Sequence, residues 1–290
     1  MDTEPNRPFV DTVLELEDGR RLGYAVWGSP EGEPVLLCHG APASRMFAPN
    51  PDVTAALGLR LITVDRPGYG RSSGQPERRI ADWPADVSEL MESLGVESFS
   101  IVAHSSGGPY ALACAATMSA VHRVVLVSCV APPEAPASDE PQTAEAEPEL
   151  ADLARADPEQ ARAMIAATVS WLADDPDRFL LLPRPEPDVI LLQDPQIKMM
   201  FTATVREAVR QGVEAYAVDE VLCLQPWGIP LDHLDCDISI WHGAQDGVVP
   251  VSDAHTLAGL LNTDRLHIDP AQGHGLILAS WPEIAADLVR

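Results

Sequence analysis

The sequence predicts an α/β fold: a mainly parallel, eight-stranded sheet with helices on both faces, carrying a helical insertion. Two observations predict it. Short apolar runs that stop at glycine or proline alternate with helix-spaced segments, the pattern of a parallel sheet covered on both sides. That alternation breaks between about 131 and 235 and resumes at 237. A chain of 290 residues is long enough for one large domain, or one domain with an insertion. Its 46% hydrophobic and 22% charged residues are ordinary for a globular protein.

The elements follow in order. VLELEDGRRLGYAVWG (13–28) reads as two short strands around a DG turn, an antiparallel hairpin. PVLLCHG (34–40) is a buried strand stopped by glycine, and RLITVDRPGYG (60–70) is another, stopped by proline and glycine. SFSIVAHS (98–105), HRVVLVSCV (122–130), DISIWHG (237–243) and RLHIDP (265–270) complete the eight. Between them DWPADVSELMESLGV (82–96) and PYALACAATM (109–118) carry helical spacing, and a terminal helix is expected near 280–289. Residues 1–130 and 236–290 therefore form the expected core.

The insertion, 131–235, opens on APPEAPASDEPQTAEAEPEL, and residues 131–160 hold nine acids against one base, Arg155. Such a segment buries little and is expected to be a surface loop. EQARAMIAATVSWLA (159–173) and IKMMFTATVREAVRQGVEAYAVDEVL (197–222) then show apolar helical faces. They predict a helical layer over the sheet. Trp171, Phe179, Met199, Met200, Phe201, Tyr216 and Trp227 suit the interior of that layer or the lining of a pocket beneath it. Phe201 and Trp227 are the candidate pocket walls. The acidic loop 134–159 is placed either to gate that pocket or to stay solvated.

Charge and cysteine usage narrow the partners. The net charge of −25 speaks against nucleic acid, because phosphate binding needs clustered Lys and Arg. It also disfavours anionic lipid surfaces and polyanionic substrates, and leaves a small molecule as the expected partner. No apolar run approaches the ~20 residues that span a bilayer. MDTEPNRPFV lacks the basic-then-apolar pattern of a signal peptide. Five cysteines (Cys38, Cys114, Cys129, Cys223, Cys236), odd in number and far apart, suit reduced thiols in a cytoplasmic protein. No CxxC or HxxxH pair suggests a metal.

The stretch IVAHSSGGPY (101–110) carries the chemistry. A nucleophile raised above a sheet needs a sharp strand-to-helix turn, with positive φ at the turning residue and small neighbours two before and two after. Ser105 has Ala103 before it and Gly107 after it. Ser106 in the same frame would have His104 before it, which is too bulky, so Ser106 contributes its backbone N–H instead. Pro109 falls in the first helical turn, where its missing N–H costs nothing. A serine hydroxyl needs a base, and the base a carboxylate to orient it. Among eight histidines, His274 alone lies in a glycine-flanked loop, AQGHGL, between a late strand and the terminal helix. Asp246, in WHGAQDGVVP, follows a strand end; Glu134 is the alternative acid. For a developing oxyanion the donors are the N–H of Ser106 and that of Ala41 in LCHGAPAS, with His39 and Gly40 shaping the loop.

Together LCHGAPAS, DRPGYGRSS, AHSSGG, HGAQDGVVP and GHGL, in that order, resemble the α/β-hydrolase superfamily, in particular serine hydrolases with a helical cap. The resemblance covers essentially the whole chain. It implies an eight-stranded sheet of α/β-hydrolase type, a cap over 131–235, and a structural role for Asp65 in bracing loops beside the site. It implies hydrolysis of a carboxylic ester or related acyl compound, neutral or apolar, through Ser105, Asp246 and His274. Serine at the nucleophile position disfavours dehalogenase and epoxide hydrolase chemistry, which need aspartate there. HGAP replaces the longer HGGPG run usual in proline iminopeptidases, which argues against peptidase activity. No nucleotide-binding glycine pattern is present, so no cofactor is expected.

Overall fold

The computed structural model describes residues 7–135, 148–232 and 234–289. Its sheet contains β1 (Val10–Glu15), β2 (Arg21–Gly28), β3 (Glu33–Cys38), β4 (Leu59–Val64), β5 (Phe99–His104), β6 (Val121–Val127), β7 (Asp237–Gly243) and β8 (Leu266–Asp269). Their spatial order is β1-β2-β4-β3-β5-β6-β7-β8. β2 pairs antiparallel with β1 and with β4; every other pairing is parallel. All six residues of β5 are buried, as expected for a central strand covered on both faces.

The period-2 alternation sorts those strands between two cores. Leu36, Ile101 and Val124 face a layer formed by α2 (Trp83–Ser93), α3 (Gly108–Thr117) and the helix Val251–Leu260, where Trp83, Leu90, Leu112 and Leu257 are buried. Leu37, Val102 and Val125 face the opposite layer, α1 (Pro51–Ala56) and the two C-terminal helices, where Trp281 and Ile284 are buried.

Between β6 and β7 the chain forms α4 (Pro148–Ala156), α5 (Pro158–Val169), α6 (Trp171–Asp174), α7 (Glu186–Leu191), α8 (Pro195–Ala208) and α9 (Glu214–Cys223), with no strand among the described residues. The C-terminal helices are α10 (Val251–Leu260), α11 (Leu276–Ala279) and α12 (Trp281–Asp287).

One expectation needs correction. The acidic segment is not loop throughout. Residues 148–156 are helical, because Leu150, Leu153 and Ala154 recur at helical spacing and pack on Ala161, Ile165, Ala217 and Val221. Residues 136–147 of that expected loop lie outside the described residues. The helical spacing over 197–222 is carried by two helices, α8 and α9. Gly212, at φ +100°, supplies a left-handed turn between α8 and α9.

Candidate active site

Ser105 stands where β5 turns into α3, with φ +56°. The turn tolerates only small neighbours. A Cβ at Gly107 would lie 2.1 Å from the Cys38 carbonyl oxygen, and one at Gly40 would lie 2.9 Å from Ser105 Cβ. The Ser106 N–H opens the helical turn, where backbone donors have no intrahelical acceptor.

The loop after β3 is held from behind. The Gly40 carbonyl accepts from His39 Nδ1 at 2.6 Å and from Arg66 Nη2 at 3.4 Å, and Arg66 Nη1 donates to the His39 carbonyl. Across a trans-like peptide plane, C=O and N–H point in opposite directions. Pinning the Gly40 oxygen on that side directs the Ala41 N–H away from it. Neither the Ala41 nor the Ser106 N–H has a backbone or side-chain acceptor among the described residues. Arg66 is itself held by Asp219 of α9, at 2.9 Å from Nε and 2.6 Å from Nη2. Asp219 also accepts from Arg78 and Tyr110, both at 2.6 Å. Burial alone would raise its carboxyl pKa. Arg66, Arg78 and the Tyr110 hydroxyl outweigh burial and hold it well below the usual range.

His274 lies in the loop after β8. Its Nδ1 is 2.8 Å from Asp246 Oδ2, and a carboxylate only accepts, so Nδ1 carries a proton; in the neutral ring that tautomer leaves the lone pair on Nε2. Asp246 Oδ1 accepts the N–H groups of Val248 and Val249 at 2.8 and 2.9 Å. Burial raises the Asp246 carboxyl, but His274 and those two N–H groups more than offset it and keep the pKa below the ordinary value.

Two further residues hold the His274 loop. His104 Nε2 donates to the His274 carbonyl at 3.0 Å, and burial pushes the His104 pKa down to about 3, so it is neutral. Asp188, on α7 of the insertion, accepts the N–H of His274 at 3.1 Å and of Gly275 at 2.8 Å.

Ser105, His104 and His274 share the wall of a cavity of about 260 Å³ with Ala41 and Asp188. Phe47, Phe179, Phe201 and Ile277 are among its apolar lining. No hydrogen bond joins Ser105 Oγ to His274 among the described residues. Such contacts are often long in unliganded enzymes and tighten around substrate.

The structure separates the two candidate pocket walls. Phe201 lines the cavity, edge-on to Phe47 at 6.3 Å and stacked on Phe179 at 6.4 Å. Trp227 does not. It is buried in the α2–α3 core, and its backbone N–H donates to Glu134 Oε1 at 3.3 Å. An apolar residue at the end of the insertion reads alike whether it covers a pocket or the core. The same contact engages Glu134, the alternative acid, while His274 Nδ1 pairs with Asp246. Asp65 braces loops as expected, accepting the N–H groups of Arg45 and Arg71 at 2.7 and 2.9 Å. Asp188 and Arg66 were missed. The only sequence signals were an acid in the proline-rich PRPEPD and a base in DRPGYG.

Residues 33–279 match the alpha/beta hydrolase fold family. The chain belongs to that family. It is 33% identical over 121 residues to a proline iminopeptidase of Xylella fastidiosa, covering 38% of this chain and 36% of that protein. It is also 33% identical over 124 residues to a non-heme chloroperoxidase of Streptomyces lividans, covering 41% and 45%. The matched part is thus under half the length of these curated relatives. Among solved structures, a thermophilic esterase from Thermogutta terrifontis superposes with TM-score 0.70 at 20% identity, covering 97% of each chain. The enol-lactonase of Burkholderia xenovorans gives 0.69 at 18%, covering 96% of this chain and 99% of that one. At such identities the likeness concerns the fold alone. No helix among the described residues is long and apolar enough to cross a membrane.

Proposed function

We propose that this α/β-hydrolase is a serine hydrolase cleaving a carboxylic ester or related acyl compound, with residues 131–235 as its cap. Ser105 Oγ attacks the carbonyl carbon. His274 Nε2 takes the hydroxyl proton and passes one to the leaving oxygen, and water then hydrolyses the acyl-enzyme by the reverse relay. Asp246 keeps the proton of neutral His274 on Nδ1 and stabilises the imidazolium. The N–H groups of Ala41 and Ser106 receive the oxyanion, each worth about 3–4 kcal/mol of transition-state stabilisation. One observation carries the reading: the Asp246–His274 hydrogen bond, at 2.8 Å, borders the cavity that Ser105 also lines.

An iminopeptidase reading fits less well. A free amino terminus is best met by a carboxylate, and Asp188, the one acid lining the cavity among the described residues, already commits a lone pair of each oxygen to the His274 and Gly275 N–H groups. The chloroperoxidase relative favours, as the second reading, another reaction on the same three residues, such as perhydrolysis, acyl transfer or carbon–carbon cleavage.

Short p-nitrophenyl esters and a phosphonate probe test both. Ester turnover is expected, Ser105 is expected to gain the probe mass, and Ser105→Ala is expected to lose roughly 10⁴–10⁶ in turnover while still folding. Probe labelling without ester turnover favours the second reading. Undiminished turnover by Ser105→Ala overturns the nucleophile.

A further inference from the structure

One side chain on the cavity wall has no part in ester chemistry. Arg184 lies between Pro183 and Pro185, whose fixed φ angles restrict the backbone that carries it. Pro185 packs on the Asp246 loop, since a Cβ at Gly247 would meet Pro185 Cγ at 2.8 Å. The guanidinium lies 5.2 Å from the centre of the Phe179 ring. It donates to the carbonyls of Phe179 at 2.6 Å, Leu182 at 2.8 Å and Leu180 at 3.2 Å. A guanidinium has five N–H groups, so two remain open.

What Arg184 lacks is a carboxylate in direct contact. Arg20, Arg45, Arg66 and Arg78 each contact a carboxylate at 2.5–2.8 Å. Arg184 contacts none among the described residues, in a chain with 44 acids. Among the described residues it is the one Arg or Lys lining the cavity. Asp188, on the same wall, is occupied by the His274 and Gly275 N–H groups. Half-burial works against the cation and lowers its pKa, with Asp188 offsetting only part of that. His104, also on the wall, is neutral. The net charge of −25 repels anions at long range, but salt screens that repulsion within about 8 Å, while a contact at Arg184 is direct.

We propose that Arg184 binds a carboxylate at the end of the substrate remote from the scissile carbonyl. The substrates would then be mono-acyl derivatives of small dicarboxylic acids, with Phe47, Phe201 and Ile277 covering the hydrocarbon between the two ends. This inference rests on the serine-hydrolase reading, and it replaces the expected neutral substrate with a singly charged one.

The test uses two p-nitrophenyl alkylphosphonates of equal chain length, one ending in a carboxylate and one in a carboxamide. Ser105 phosphonylation is followed by p-nitrophenol release and intact mass. The carboxylate probe is expected to react about tenfold faster, or more, the return of one charge-assisted contact. Arg184→Gln is expected to bring that ratio close to one, and Arg184→Lys, which keeps the charge without the fork, to keep part of it. Equal rates in the unaltered protein, or a ratio that survives in Arg184→Gln, overturn this inference alone. Failure of both probes to label Ser105 overturns the serine-hydrolase reading and this inference with it.

Discussion

Replacing Asp188 with alanine removes the carboxylate that accepts the His274 and Gly275 N–H groups at 3.1 and 2.8 Å. A hydrogen bond to a charged group contributes about 1.5–3 kcal/mol net, so the pair holds the loop by no more than about 3–6 kcal/mol. His274 is partly exposed, its side chain at 18%, so water replaces some of that loss. His104 and Asp246 keep their own grips on the residue. If about 1.5–3 kcal/mol of positioning is lost, the barrier rises enough to slow turnover about 10–100-fold. The assay pairs kcat and KM on a short p-nitrophenyl ester with the rate of phosphonate labelling. Turnover and labelling are expected to fall by the same factor with KM nearly unchanged, because both need His274 aligned with Ser105. Asp188→Asn keeps one acceptor oxygen and is expected to fall between. If Asp188→Ala unfolds at lower temperature yet keeps its kcat and labelling rate, Asp188 only anchors the insertion, and the positioning argument fails.

Arg66→Lys keeps a charge opposite Asp219 but loses the fork that reaches both Asp219 and the His39 carbonyl. It is expected to fold and to lose about 10²-fold in kcat, near the loss of one oxyanion donor; unchanged kcat would show that the loop holds its shape without the arginine. Acid is expected to destabilise the fold below about pH 6.5. Burial lowers His104 from 6.5 to about 3, so across that window the unfolded chain binds a proton that the folded one does not. The stability is complete above 6.5 and is lost as pH falls, at about 1.4 kcal/mol per pH unit for one such histidine. His39 and His242, also depressed by burial, act in the same direction. Urea unfolding at several pH values checks this, and His104→Gln is expected to flatten the slope. A slope that does not change in that variant would refute the assignment.

The strands were legible because each is a local signal: a buried apolar run stopped by a turn residue. The strained turn at Ser105 was legible for the same reason, since the smallness of Ala103 and Gly107 is written within two residues of it. The loops bearing Asp246 and His274 were marked by glycines, and their hydrogen bond spans only 28 positions near the C-terminus. The helix boundary at Gly212 carries no mark in the apolar spacing, which continues on both sides of it, because positive φ leaves no trace in periodicity.

Residue order and local chemistry determined the sheet, its class and the candidate nucleophile, base and acid. Docking of the insertion onto the sheet decided the rest. It brought Asp188 to a loop 86 positions away and Asp219 to Arg66 across 153. It also sent Phe201 to the cavity and Trp227 to the core, although both are aromatic residues of the same segment. The physical reason is that an apolar or charged side chain specifies that it must be covered or paired. Which surface does so depends on how two packed layers meet, and no short window of sequence contains both.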